Sequence, residues 1–332
     1  MSWIYFLSFI LALGLSLYGT PLARQAAIKY NIVDLPDGKL KTHRQPVPYL
    51  GGLSIYLSFL LTLAFTFQFS QEVLGLMLAG TIVLLLGLID DFGVLTPKVK
   101  LAGQAIAVFV LIKSDIYIKL GFIPHWAQII ITVIWLLGLI NGFNLIDIMD
   151  GLSAGIAFLA SLTLFVVSII GEREMVAVMS CALAGSLLGF LKYNFHPAKI
   201  YMGDAGSMFI GLMLAALSMN GNYTKVNPIA AIAPVLILGV PIFDTLFVIY
   251  IRFLRGMSIF KGSKDHFPLR LRKWRLSVVQ TVLISYSFSI LLGGVALLIM
   301  QNSSRVAGVL LLVTISVLFG IAVWLKQIDV GF

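Results

Sequence analysis

The chain has 332 residues, 60% of them hydrophobic and only 11% charged, with 23 Lys plus Arg against 14 Asp plus Glu for a formal charge of +9. Ordinary soluble proteins hold ~45–50% apolar and ~25% charged residues, so a soluble globule is excluded; disorder, collagen and coiled coil go too, because the apolar residues run in long blocks without heptad or triplet repeats. What remains is an all-α, polytopic membrane protein, in which a basic excess reports orientation and not nucleic-acid binding. The single cysteine, Cys181, lies inside an apolar block, so neither a disulfide framework nor a CxxC metal site is indicated.

A bilayer-spanning helix needs ~20 mostly apolar residues. Eleven stretches qualify: 3–18, 50–67, 73–89, 101–112, 126–140, 155–170, 175–191, 208–219, 229–251, 278–300 and 307–325, of which the fourth and eighth are short. The first is expected to be a retained helix and not a cleavable signal peptide, since nothing basic precedes it and no small-residue cleavage site follows before Pro21. Between alternate loops the Lys and Arg residues divide eighteen to five. That asymmetry predicts about eleven crossings with the N-terminus outside and the C-terminus cytoplasmic. Apart from Glu72, Asp115, Glu172 and Glu174, the acids fall on or near the cytoplasmic side, among loops rich in Gly, Asn, Asp and Pro, so chemistry is expected there. The chain reads as one membrane-embedded domain over 1–332, with no internal repeat.

Polar clusters punctuate this frame. Lys41, His43 and Arg44 precede VPYLGG, and alone say only that the loop is cytoplasmic. Asp90 and Asp91 close the third stretch, where two carboxylates meet the negative end of the helix dipole at a cost of ~0.3–1 kcal/mol each and repel one another. A cation is expected beside them: Lys98, Lys100 or a divalent ion, with Mg²⁺ suited to one or two carboxylates plus substrate phosphates. The bland alternative is a pair of solvated interfacial acids. Asn141, Asn144, Asp147 and Asp150 follow at intervals of three, a row that helix capping explains only at Asp150 and Ser153, and polar groups beside lipid are costly enough to suggest function. In Tyr201-Met-Gly203-Asp204-Ala-Gly-Ser207, Asp204 or Ser207 could be a plain N-cap; equally, the glycines let backbone N–H groups approach a phosphate while Asp204 holds a metal. The ninth stretch contains Pro234, Gly239, Pro241 and Asp244, which predicts a kink with an inward-facing acid. The basic segment 252–275, including His266 and Arg270, reads as a loop that sets topology, contacts anionic lipid, or closes over a phosphorylated substrate.

Taken in order, KTHRQPVPYLGG, GLIDDFGVLTPKVKLAGQ, NGFNLIDIMDGLSAG, KYNFHPAKIYMGDAGSMFIG and GVPIFDT resemble the polyprenyl-phosphate N-acetylhexosamine-1-phosphate transferase family over roughly residues 39–272, leaving 278–325 as two further transmembrane helices. The resemblance implies a Mg²⁺-dependent (or Mn²⁺-dependent) enzyme that passes a sugar-1-phosphate from a UDP-N-acetylhexosamine to a membrane polyprenyl phosphate, releasing UMP, as the first membrane step of cell-wall or surface-glycan synthesis. It further implies Asp204, with Asp91, as metal ligand and Asp90 or Asp91 as base. The second pKa of a phosphate monoester is ~6, so a strong base is not required and that assignment stays open. By the same resemblance Asn141, Asn144, Asp147, Asp150, Asn194 and Gly203 belong to the nucleotide-sugar site, Lys41 and Lys100 are its cations, and Tyr201 stands where the family often has Phe to stack on uracil. One departure stands out: where the family carries a multi-histidine loop, this chain reads His266-Phe-Pro-Leu-Arg270-Leu271. N-acetylglucosamine is therefore the expected donor sugar, with the phospho-MurNAc-pentapeptide branch as runner-up. An ion-coupled transporter, whose sites lie near the bilayer midplane within inverted repeats, is the rival from another class, and an intramembrane aspartyl protease matches only through Tyr-Met-Gly-Asp. Whether the protein forms a homodimer is left open.

Overall fold

In lipid every backbone N–H and C=O must be paired, which only helices and closed barrels achieve, and continuous apolar blocks without the two-residue alternation of barrel strands therefore fold as helices. The computed structural model describes residues 2–34, 46–68, 70–121, 123–257 and 265–328 and bears this out: each of the eleven stretches falls on a helix or a bent helix pair. Among the described residues seven helices are long and apolar enough to cross a membrane, eight if the bent pair is one span, and Gly51–Thr66 and Gly203–Met219 are shorter apolar helices. The chain is an all-α, multi-pass membrane protein. It divides into two compact units, Met1–Gly221 and Asn222–Phe332.

In the first unit α1 (Ser2–Lys29) continues well past its apolar stretch and through Pro21. A two-residue antiparallel ladder follows, β1 (Val33–Asp34) with β2 (Val47–Pro48), pairing Val33 with Pro48 and Asp34 with Val47. Next come α2 (Gly51–Thr66), α3 (Gln71–Asp91), α4 (Pro97–Lys113), α5 (His125–Ile146), α6 (Leu152–Gly171), α7 (Glu174–Asn194) and α8 (Gly203–Met219). α8 is the hub: α2, α3, α5 and α6 pack on it, and it is buried from Ala205 to Ser218. A helix covered on all sides carries no polar face, which is why its sequence is apolar all round.

α8 begins at Gly203, not at 208, so Asp204 lies in its first turn. α5 runs past residue 140 to Ile146 and carries Asn141 and Asn144 as helical residues, with Asp147 at its C-cap. Hydropathy could not reveal either extension, because neighbouring helices rather than lipid cover these polar turns.

The second unit opens with a 3₁₀ turn (Pro228–Ile232), then α9 (Ala233–Ile237) and α10 (Gly239–Leu254), bent by 77° across the break at Leu238. The expected kink is there and has the expected cause: Pro241 has no N–H to give the carbonyl four residues earlier. α11 (Phe267–Lys273), α12 (Val278–Gln301) and α13 (Ser304–Lys326) complete the unit. Part of the basic segment read as loop is thus the short helix α11.

Candidate active site

Adjacent residues on a helix point ~100° apart, and at the end of α3 the two carboxylates take different partners. Asp90 Oδ2 lies 2.6 Å from Lys100 Nζ. Asp91 faces the start of α8, where Oδ1 accepts the Asp204 backbone N–H (2.7 Å) and Oδ2 that of Ala205 (3.3 Å). The first four N–H groups of a helix have no partner within it. The residue in the N-cap position, Met202, supplies no side-chain cap, so a carboxylate from α3 does, in the favourable direction of the dipole.

This arrangement depends on close backbone approach. Gly203 adopts φ +73°, and a Cβ there would stand 2.6 Å from Asp91 Oδ2. A Cβ on Gly52 would meet the Gly206 backbone and lie 2.9 Å from the Met202 carbonyl, and one on Gly87 would lie 2.7 Å from the Asp204 carbonyl carbon. Backbone hydrogen bonds tie the same segments: Tyr201 N–H donates to the Pro48 carbonyl (2.7 Å), Gly51 N–H to Tyr201 (3.0 Å) and Gly52 N–H to Met202 (2.9 Å). The glycines of VPYLGG and GDAGS therefore dock one motif onto the other.

With its cap supplied from elsewhere, the Asp204 side chain is not an N-cap. Oδ2 lies 2.6 Å from Lys100 Nζ, and Oδ1 accepts from Asn144 Nδ2 at 2.8 Å. Lys100 sits in the first turn of α4, which Thr96 caps and Pro97 opens, and its ammonium also donates to Asn144 Oδ1 at 3.1 Å. One cation thus bridges Asp90 and Asp204, and Asn144 additionally donates to Ser207 Oγ at 3.0 Å. Among the described residues no three His, Cys, Asp or Glu groups form a ready-made metal cage.

Asp147 closes α5, partly open to solvent yet enclosed by protein; burial, then the charges of Asp204, Asp91 and Asp150, push its carboxyl up to about 8. Asp150 Oδ2 accepts the Ala198 N–H (3.0 Å) and pairs with His196 Nδ1 (2.8 Å). The Tyr201 hydroxyl is pushed up to about 12 by burial and by the carboxylates of Asp150, Asp34 and Asp147, which places its ring in this acidic neighbourhood.

Two of the expected substrate residues are held by protein partners. Asn194 is buried, with Oδ1 accepting the Gly151 N–H (3.1 Å) and Nδ2 donating to the Ile200 carbonyl (3.0 Å), so it pins the 195–200 loop to the start of α6. Asn141 pairs with Gln104, a buried residue that closes the GLIDDFGVLTPKVKLAGQ motif four positions after Lys100 and to which the sequence alone assigns no role. Lys41, His43 and Arg44 lie outside the described residues.

In the second unit His266 and Arg270 are also internally engaged. His266 Nδ1 lies 2.6 Å from Asp244 Oδ2, both side chains buried, and Asp244 Oδ1 accepts the Phe267 N–H at 2.9 Å. Arg270 is fully buried; its guanidinium donates to Asp265 Oδ1 (2.9 Å), the Asp265 carbonyl and the carbonyls of Leu325 and Ile328 at the end of α13. These bonds give Arg270 a part in building the unit.

A family model described as glycosyl transferase family 4 matches residues 73–222, the stretch that holds every member of the Asp90–Asp91–Lys100–Asn144–Asp204 cluster. Over 296 residues the chain is 35% identical to a "probable undecaprenyl-phosphate N-acetylglucosaminyl 1-phosphate transferase" of Bacillus subtilis (strain 168), covering 85% of this chain and 82% of that protein. The chain belongs to glycosyl transferase family 4. This transferase is also 34% identical to a decaprenyl-phosphate N-acetylglucosaminephosphotransferase of Mycolicibacterium smegmatis over 307 residues, 81% of this chain and 75% of that one. It is 33% identical to a phospho-N-acetylmuramoyl-pentapeptide-transferase of Halalkalibacterium halodurans over 297 residues, 81% and 88% respectively. The polyprenyl-phosphate sugar-phosphate transferase resemblance seen in the motifs is thereby established, and the transferase is an enzyme of that class. The transporter and protease readings fall away.

Proposed function

We propose that the enzyme transfers N-acetylglucosamine-1-phosphate from UDP-N-acetylglucosamine to a polyprenyl phosphate at the cytoplasmic membrane face, releasing UMP. The observation that carries the reading is the single ammonium of Lys100 held between Asp90 and Asp204 at the start of α8. Two anionic substrates must meet beside lipid, and phosphoryl transfer needs chiefly positioning and charge stabilisation. An oxygen of the lipid phosphate forms a new bond to the sugar-bearing phosphorus of the donor, and the bridging P–O bond breaks with its electrons going to UMP. Because the acceptor's second pKa is ~6, much of it is already dianionic at neutral pH and no proton need be removed by Asp90.

The donor set is all oxygen and fits Mg²⁺, which accepts one or two carboxylates together with substrate phosphates. Asp204 and Asp90 would hold the ion, whose bound charge would offset that of the donor pyrophosphate. Asp91 positions Asp204 by capping α8. Lys100 neutralises the two acids and lies within reach of a phosphate placed on them. Asp147, Asp150 and Tyr201 form the acidic, aromatic-edged neighbourhood suited to a nucleoside. The eighteen-to-five Lys/Arg division supports eleven crossings with the site inside and the C-terminus cytoplasmic. N-acetylglucosamine as the sugar is supported by the names of the Bacillus and Mycolicibacterium relatives and by the reduced histidine content of 266–271.

The test is UMP release from purified enzyme with a short polyprenyl phosphate and either UDP-N-acetylglucosamine or UDP-MurNAc-pentapeptide, with Mg²⁺ and with EDTA. Release with the first donor, abolished by EDTA, is expected. Release only with the second would move the enzyme to the pentapeptide branch, and release with neither would refute the reaction.

A further inference from the structure

α4 buries one stripe, Gln104, Ala107, Val108 and Leu111, spaced as one helix face. Gln104 is its only polar member and is fully buried. An amide left unpaired in such a place costs ~1–3 kcal/mol, and a leucine would fill the stripe without that liability. The amide is fully occupied by specific partners. Its Nε2 donates to Asn141 Oδ1 (3.3 Å) and approaches Met208 Sδ (3.3 Å), and its Oε1 accepts from Asn141 Nδ2 (2.8 Å). Asn141 Nδ2 also donates to the Leu137 carbonyl at 2.8 Å, which fixes the pair to the α5 backbone.

The register of these partners carries the argument. Lys100 on α4, Asn144 on α5 and Asp204 on α8 make the contacts at the membrane face. Gln104 is four residues after Lys100, Met208 four after Asp204, and Asn141 three before Asn144. Residues three or four apart on a helix lie one above the other. Gln104, Asn141 and Met208 are therefore the same three-helix contact one turn deeper. We propose that Gln104 and Asn141 are positioning residues, a reciprocal amide rung that locks the register of α4 against α5 so that Lys100 and Asn144 converge on Asp204. Asn141 thus serves the donor site through Asn144 and not by touching the donor. Only the kinetic arm of the test rests on the proposed reaction.

The probe variants are Gln104→Leu, the double leucine variant Gln104→Leu/Asn141→Leu, and the exchange Gln104→Asn/Asn141→Gln, which preserves the summed side-chain length and both amides. kcat for UMP release is measured beside the melting temperature. The acetylation rate of Lys100 by a water-soluble acylating reagent is read by mass spectrometry, with exposed Lys98 on the same helix as internal reference. In the wild type Lys100 should be protected relative to Lys98. Gln104→Leu should abolish that protection and lower kcat by about 10- to 100-fold, as for other residues that orient a ligand from behind. The exchange should restore both. If Gln104→Leu fails to fold, the double variant, which strands no partner, gives the same reading. Wild-type protection and kcat in a folded leucine variant would overturn the proposal, as would an exchange no better than Gln104→Leu. If the wild type released no UMP while Lys100 protection still followed the rung, the reaction would fall and the positioning role would stand.

Discussion

The division of labour between Asp90 and Asp91 allows a quantitative test. Asp91→Ala removes the acceptor for the Asp204 and Ala205 N–H groups, held at 2.7 and 3.3 Å. A hydrogen bond to a charged group contributes ~1.5–3 kcal/mol and a helix cap ~0.5–2 kcal/mol, and one of the two contacts is long, so a loss of ~2 kcal/mol is expected. If that destabilisation falls on the productive position of α8, kcat drops about 30-fold, at 1.36 kcal/mol per factor of ten. Asp91→Asn retains one carbonyl acceptor and should lose about half the free energy, a fivefold effect. Asp90→Asn leaves the α8 cap untouched and deprives Lys100 of one carboxylate. It should impair transfer while leaving the melting temperature close to wild type. Initial rates of UMP release and thermal unfolding of the same detergent-solubilised samples provide both numbers. Equal losses of melting temperature in Asp90→Asn and Asp91→Ala would refute the capping assignment, and wild-type rates in Asp91→Ala would refute the link between α8 and catalysis.

The remaining expectations are as direct. Asp204→Asn keeps the shape of the side chain but loses the charge facing Lys100, so transfer should fall by orders of magnitude with little change in melting; near-normal rates would remove Asp204 from the proposed metal and phosphate site. Asp147, pushed up to about 8 from an ordinary carboxylate value, favours the protonated folded state; its contribution is complete below about pH 4 and lost as pH rises to about 8, so in EDTA the wild-type melting temperature should decline over that window more steeply than that of Asp147→Asn. Arg270→Lys cannot reproduce the planar fork bound to Asp265, Leu325 and Ile328, and should destabilise its unit by about 3 kcal/mol with donor KM unchanged; a raised KM at wild-type stability would return Arg270 to the substrate. In a Cys181→Ala background, an impermeant thiol reagent applied from outside should label Ser303→Cys and not Ser263→Cys, and the opposite pattern would invert the topology.

What could be read ahead of the fold follows from range. Long apolar blocks announce helices because lipid permits little else, and the DD, KVK, NGFN and MGDAGS motifs raised the expectation of a polar site because so many acids and amides beside lipid are costly to keep. Asp90, Asp91, Lys100, Asn144 and Asp204 do converge. Their division of tasks was not legible. That Asp91 caps α8 depends on two segments more than a hundred positions apart, whereas capping patterns in a sequence are local. Asn141 and Asn194 share composition with the neighbouring Asn144 and Asp147, and only the fold shows their buried partners, Gln104 for one and the Gly151 and Ile200 backbone for the other. The early starts and late ends of α8 and α5 were hidden because hydropathy scores lipid-facing composition and cannot see a polar turn covered by another helix.

The crossing of Gly52, Gly87, Gly206 and Ala205 around the first turn of α8 has a bearing on how variants of this enzyme should be interpreted. A single methyl group on any of the three glycines would push against main chain, which cannot swing aside as a side chain can. A loss-of-function screen would accordingly return these inert residues beside the aspartates, and scoring by phenotype alone would enlarge the catalytic inventory with positions that perform no chemistry. The same constraint tells an engineer where not to work: if the proposed reaction holds, donor preference is to be retuned in the loops around residues 147–150 and 195–201, while the α8 start has no room to move.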